Sequence, residues 1–484
     1  MPGDIFPWLL LLSLFGTTHG CLQDTATAYK FTGTVCRLTH PAAVVLNEKT
    51  TKVIEAAFQH ARYPTMQGER SAGFFGKVSY GLENLEIFNL SIGRSEFELR
   101  PGEGIGLEIN NVSAVFSGTL QYGYGNWLVN VGQKLDFEVE TQIDLGINPK
   151  LYCGNSKVAA DTSDCYLTFH KFRLYLQGDK EPNWLKKAFT DFITFTVKLV
   201  VKGQICKEIN KMADILADFV QDTAADFVSD GGISVDIGIT TAPVITANYI
   251  ESYHKGVTNY LNQTSVINNS VFHPNLLTEN RMLYFWVSDE FFNPLVAAAH
   301  QDGRFQLNIS SEELQMLFKT NLSSIKPEYI EKCMLESASP ELRMWSSSVP
   351  ALNTSTVGTS VRAQATGELY CGNQDKPTLF FQTNITVDVT ASYADKKLFL
   401  QGKPREIFVV RAELPQQNQP VIYEKAQIEF IREAVEKIGI PKVTSVLEVE
   451  VTRLLDKQGT NLFDIINPEV LHQEGYVVIQ MDFG

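Results

Sequence analysis

Residues 183–228 constrain this chain more than any other stretch, because they read as one long amphipathic helix that must lie on something apolar. Pro182 suits a helix start, where its missing N–H removes no hydrogen bond. From Ile205 onward, Ile209, Met212, Leu216, Phe219 and Phe227 recur at helical steps of three and four, with Thr223 filling the gap. Lys207, Lys211, Asp214, Asp218, Asp222 and Asp226 occupy the opposite face, and Gly231-Gly232 accepts the left-handed turn that ends a helix. Neighbours such as Ile215-Leu216 and Phe219-Val220 widen the apolar stripe. At about 1.5–3 kcal/mol per fully buried large side chain, such a stripe needs an extensive partner surface. Two partners fit the periodicity: a sheet packed beneath the helix, or a curved sheet that walls an apolar cavity together with it.

The sheet is legible between residues 76 and 176, where the period changes to two. Val78, Tyr80 and Leu82 alternate with polar neighbours, then Ile105, Leu107 and Ile109, then Val112, Ala114, Phe116 and Leu120, then Leu135, Phe137, Val139 and Thr141. Short runs of this kind separated by turn residues predict an antiparallel meander with one apolar face. A shorter amphipathic helix over 41–62 precedes it, with Val45, Leu46, Val53, Ile54, Ala57 and Phe58 on its apolar side, and strand-like segments over 233–255 follow the long helix. Residues 262–280 read as a linker, with His273-Pro274-Asn275 near the end. Beyond it the order repeats. A strand over 281–287 leads to a helix over 289–300 that Ser288 can cap. Strands over 305–309, 379–389 and 397–400, a Ser/Thr/Pro-rich loop over 336–360, a second long helix over 423–457 bent at Gly439-Ile440-Pro441, and closing strands over 462–481 complete it. The expectation is an α+β duplication: residues 21–261 and 281–484 each form a curved antiparallel sheet wrapped on a long amphipathic helix.

Residues 1–20 read as a signal peptide: an apolar run over 8–15, too short to span a bilayer, ends in small residues before Cys21. Eight N-x-Ser/Thr acceptors agree with secretion: Asn89, Asn111, Asn262, Asn268, Asn308, Asn321, Asn353 and Asn384. The formal net charge of −14 makes nucleic acid and anionic lipopolysaccharide poor electrostatic partners. Seven cysteines are an odd number, so at least one has no partner within the chain. In an oxidising compartment a structural bridge from Cys165 to Cys206 is expected to pin the long helix to the meander, a pairing that spacing alone does not establish.

Motifs for covalent chemistry are missing. The chain has no G-x-S-x-G elbow, P-loop, H-E-x-x-H or C-x-x-C, and no two of its eight histidines lie within four residues of each other. No cofactor and no metal site is expected. Ser252 and His254 share one face of a strand, but alternate residues sit about 6–7 Å apart along the backbone, which is loose for a nucleophile and its base. They read as polar points set into an apolar wall, or as an ordinary polar pair at a strand end, and the chain is not expected to be an enzyme.

Several stretches carry a family resemblance: Gly203-Gln-Ile-Cys206, Asp164-Cys165-Tyr-Leu-Thr-Phe-His170, Pro243-Val-Ile-Thr, Glu251-Ser252-Tyr-His254, Arg281-Met-Leu-Tyr-Phe-Trp and Leu462-Phe-Asp-Ile-Ile-Asn-Pro468. Together they resemble the family of phospholipid transfer protein, lipopolysaccharide-binding protein and bactericidal/permeability-increasing protein, from about Cys36 to Gly484 and most weakly between Ser310 and Thr378. The resemblance implies an elongated boomerang of two barrels joined by a central sheet, with an apolar tunnel on the concave side. It implies secreted exchange of cholesteryl ester and triglyceride, with phospholipid at the openings, between lipoprotein surfaces in plasma by a monomer, or binding of phospholipid or lipopolysaccharide without exchange. The positions similar to the tunnel lining are Cys36, Leu38, Val220, Gln221, Ala224, Ile237, Ile250, Ser252, His254, Leu283 and Phe285. Cys165 and Cys206 match the family's bridge. Thr223 stands where the resemblance leads one to expect a basic residue. It also implies an amphipathic helix beyond Gly484, without which exchange is expected to be poor.

Overall fold

The computed structural model describes residues 21–59, 65–71, 77–126, 129–177, 231–272, 280–314, 340–372, 375–394, 397–415, 425–445 and 465–484. It also describes single helical positions between 194 and 211 and at 333 and 448. Most of the long helix over 183–228, and the leader over 1–20, therefore lie outside the described residues. The chain forms two compact units, one of residues 1–37, 221–241 and 252–484 and the other of residues 38–220 and 242–251.

In the second unit, strands Met66–Ser71, Lys77–Ser91, Gly104–Asn126, Val129–Ile147 and Cys165–Leu176 pair in that order, and Arg94–Arg100 joins Gly104–Asn126. Every pairing is antiparallel. Three of the strands are 15, 23 and 19 residues long, well beyond ordinary strands. Bulges bend them. Register shifts fall between Glu83 and Glu86 and between Ile109 and Val112, and the asparagines inside them, Asn84 and Asn111, adopt φ of 52° and 57°. Asparagine tolerates this left-handed conformation better than most side chains. The bulge at Asn111 also explains why the apolar positions change parity from Ile105, Leu107 and Ile109 to Val112, Ala114 and Phe116: one extra residue returns the same face to the core. Leu82, Ile109, Phe116, Leu120, Phe137 and Val139 are buried on that face.

The helix predicted over 41–62 runs His40–Gln59. Asn47 pins it to the sheet, donating from Nδ2 to the Ser95 carbonyl at 3.2 Å and accepting the Ser95 hydroxyl at 2.9 Å. Cys165 and Cys206 form a disulfide with Cα atoms 5.9 Å apart, fastening the first residue of the last strand to a helical position.

The first unit carries a second meander, in the order Gln306–Ile309, Pro340–Ser346, Gly358–Cys371, Leu379–Ala394 and Lys397–Glu413, with Ala351–Ser355 on Gly358–Cys371. The loop expected over 336–360 is thus largely strand. Its serines and threonines disguise an alternation in which Leu342 and Met344 point into the core, with Leu342 opposite Leu369. Cys333 and Cys371 form another disulfide, a pairing the sequence reading left open. The second predicted long helix begins as Lys425–Ala434, widens into a π-helical turn over Val435–Gly439, and continues helical to 445. The bend expected at Gly439-Ile440-Pro441 therefore takes the form of a π-bulge, the Ile440 N–H reaching the Val435 carbonyl.

The same unit holds the strands Leu283–Ser288, Tyr476–Phe483 and Ile465–Gln473, paired in that order, with residues 34–37 of Thr34–Thr39 and 252–254 of Tyr249–His254 continuing the sheet beside Leu283–Ser288. The helix Asp289–Gln301 leaves Leu283–Ser288 with Ser288 as N-cap, the hydroxyl accepting the Phe291 N–H at 3.2 Å. Residues 262–272, read as the start of a linker, are packed: Ile267 and Phe272 are buried, and Phe272 meets Tyr29 and Tyr476 edge-on.

Candidate functional site

The two faces of this last sheet differ sharply in burial. Along Thr34–Thr39, Val35, Arg37 and Thr39 are buried while Thr34, Cys36 and Leu38 are half-buried. Along Leu283–Ser288, Tyr284, Trp286 and Ser288 are buried while Leu283, Phe285 and Val287 are half-buried. The packed face is fixed by a Tyr284–Trp286 stack with centroids 5.3 Å apart and by the Arg37 guanidinium 5.4 Å above the indole. Its reverse keeps apolar side chains incompletely covered. Leu283, Phe285 and Val287 face Met481, Ile479 and Val477 across the next pairing, so the apolar character extends over neighbouring strands. Cys36 is the one cysteine outside the disulfides.

Ser252 and His254 lie on the half-buried parity of Tyr249–His254, with Tyr253 buried between them. The expectation that they sit too far apart is corrected by the side chains: Ser252 Oγ and His254 Nε2 are 2.8 Å apart. Backbone spacing is not the distance between two side chains that lean together. His254 Nδ1 lies 2.9 Å from the Ile237 carbonyl oxygen. A carbonyl only accepts, so Nδ1 carries the proton, Nε2 is the acceptor, and Ser252 donates its hydroxyl. Burial pushes the His254 pKa below its ordinary value, partly offset by the bond to Ile237, and so favours this neutral form. Ile237 is buried and packs with Val235 and Phe291.

This geometry resembles a nucleophile and base, but it is arranged to stay closed. The group behind the imidazole is a neutral carbonyl, and the lowered pKa makes Nε2 a weak base, so an imidazolium would gain little. With both imidazole nitrogens and the hydroxyl proton engaged, the pair offers a ligand no hydrogen-bond donor. It can be covered by hydrocarbon without orphaning a polar hydrogen.

Leu38 and Ile250 belong to the second unit and are half-buried in their own strands, Ile250 opposite Ile245. Val220, Gln221 and Ala224 lie outside the described residues. The second unit also holds a small, open apolar hollow lined by residues that include Ile87, Leu90, Val112, Ala114, Leu145 and Leu167. None of these is among the sequence-predicted lining residues, although the period-two alternation over 76–176 already placed Val112 and Ala114 on an inner face.

Residues 45–222 match the model of the LBP / BPI / CETP family, N-terminal domain, and residues 228–449 match that family's C-terminal domain. The cholesteryl ester transfer protein of Gallus gallus is 41% identical over 485 residues, covering 98% of this chain and 95% of the relative. That of Homo sapiens is 41% identical over 486 residues, covering 98% and 96%. The lipopolysaccharide-binding protein of Mus musculus is 23% identical over 310 residues, covering 63% of each.

Proposed function

This chain belongs to the LBP / BPI / CETP family, and from that premise we propose that it is a secreted carrier that exchanges cholesteryl ester and triglyceride between lipoproteins. The observation that carries the reading is the 41% identity to cholesteryl ester transfer proteins over 98% of the chain. The half-buried apolar face and the apolar hollow support it, because a neutral ester has little but hydrocarbon to offer a binding surface. Cys36, Leu38, Val220, Gln221, Ala224, Ile237, Ile250, Leu283 and Phe285 are the proposed lining, with Ser252 and His254 as its paired polar point.

Exchange needs no bond to break. Each buried CH₂ contributes about 0.8 kcal/mol in the protein much as it does in a lipoprotein core, so moving an ester between the two is nearly balanced and follows concentration. Ester and triglyceride both lack donors, and a closed Ser252–His254 pair takes neither at the expense of the other. Phospholipid, with a polar head and apolar tails, suits an opening. No helix among the described residues is long and apolar enough to cross a membrane, and the leader and glycosylation acceptors support secretion into plasma. The net charge of −14 disfavours polyanionic lipopolysaccharide as ligand.

The test supplies donor particles carrying doubly labelled cholesteryl ester together with acceptor particles and this chain. Intact ester in the acceptor and no released fatty acid is the expected result. Fatty acid release blocked by Ser252→Ala would mean a hydrolase, and bound phospholipid without ester movement would mean a binding module.

A further inference from the structure

Among the glycosylation acceptors, Asn384 has surroundings unlike the others. It lies in Leu379–Ala394 directly opposite Phe408 of Lys397–Glu413, and directly opposite residues share a face with Cβ atoms about 4.5–5.5 Å apart. Phe408 is 56% exposed, although its neighbours Ile407 and Val409 enter the core. Lys397–Glu413 is also the last strand of its sheet among the described residues, and an exposed aromatic on an edge strand invites pairing with other chains. The acceptor triplet is oriented outward: Ile385 packs on the core, so Asn384 and Thr386 both point to solvent. Gln364 Nε2 donates to Asn384 Oδ1 at 3.4 Å from the other neighbouring strand. That bond leaves Nδ2, the atom a sugar joins, on the side of the amide away from Gln364. The other acceptors on paired strand positions face Val115, Arg343 or Ser360, while Asn111 lies in a bulge, and Asn321 is outside the described residues.

We propose that Asn384 carries an N-linked glycan whose first sugar lies on Phe408 and shields this edge strand. The inference rests on the reading that the chain enters the secretory pathway. Nδ2 attacks the anomeric carbon of an N-acetylhexosamine held as a polyprenyl-diphosphate oligosaccharide; the C1–O bond breaks, the diphosphate leaves, and Nδ2 loses one proton. A pyranose ring presents axial C–H bonds, weakly positive, to the negative face of an aromatic ring. The sugar stays anchored because its Asn and the phenyl ring are cross-strand partners.

The full chain is secreted from a glycosylating animal cell line and its acceptor occupancies are read by glycopeptide mass spectrometry. Asn384 is expected to be occupied. Asn384→Gln and Thr386→Ala should each lower the onset temperature of aggregation. In a Phe408→Ser background neither should lower it further, because the ring that needs shielding is gone. Asn384 empty while other acceptors are occupied overturns the inference alone. So does an equal shift with and without Phe408, which would make the glycan a general solubiliser. A chain occupied at no acceptor overturns the secretory reading and this inference together.

Discussion

Replacing Ser252 by alanine isolates what the paired hydroxyl contributes. In the native site the imidazole is satisfied at both nitrogens before any ligand arrives, by Ser252 at 2.8 Å and by the Ile237 carbonyl at 2.9 Å. Without the hydroxyl, Nε2 can still take a water while the half-buried face stands open, so the unliganded protein loses little. An ester that covers the face must expel that water, and a buried acceptor left unpaired costs about 1–3 kcal/mol. The whole cost therefore falls on binding and corresponds to roughly 5- to 140-fold weaker affinity. Titration with a fluorescent cholesteryl ester measures it, with a thermal melt to show that the variant remains folded. Ser252→Thr keeps the hydroxyl and should titrate close to the native chain. If Ser252→Ala binds ester as tightly as the native protein, Nε2 is not covered by ligand and the reasoning about this face is wrong.

Three further outcomes follow from the structure. Burial holds His254 below its ordinary pKa, so its contribution to stability is complete above about pH 6.5 and is lost as pH falls toward the folded value; His254→Asn should flatten the stability profile below that pH in urea unfolding, and an unchanged slope would contradict the assignment. A Cβ on Gly367 would run into Cζ of the fully buried Phe381 on the paired strand. Gly367→Ala should therefore destabilise by about 1–3 kcal/mol, and Phe381→Leu in the same chain should recover part of that loss; simple additivity in denaturant melts would argue against the contact. The Cys165–Cys206 and Cys333–Cys371 disulfides span separations of 41 and 38 residues, so removing either by a Cys→Ala pair should lower stability by about 4 kcal/mol in each case; widely unequal losses would show that loop closure is not the main contribution.

Much of the fold was legible because alternation survives without any tertiary information. The meander over 76–176 declared itself, and even its bulge at Asn111 was written as a parity change between Ile109 and Val112. Over 336–360 the same signal was weaker, since only Leu342 and Met344 mark the buried side among polar residues that tolerate either state. Cys333–Cys371 could have been found from the internal repeat, because it ties the end of a meander strand to a helical position as Cys165–Cys206 does at the start of one. At the candidate site, sequence placed Ser252 and His254 on one face but could not supply the lean of their side chains. Nor could it supply the Ile237 carbonyl, which comes from a segment 17 residues away and decides the tautomer.

The central claim is that this chain carries neutral lipid against an apolar interior, and the most direct measurement is of what the purified protein contains. Protein secreted into lipid-containing medium is isolated, extracted with organic solvent and analysed by quantitative mass spectrometry. The account predicts cholesteryl ester and triglyceride together with phospholipid, at stoichiometric amounts, with the ester depleted in Ser252→Ala. An extract empty of neutral lipid, from a protein that is folded, would contradict it.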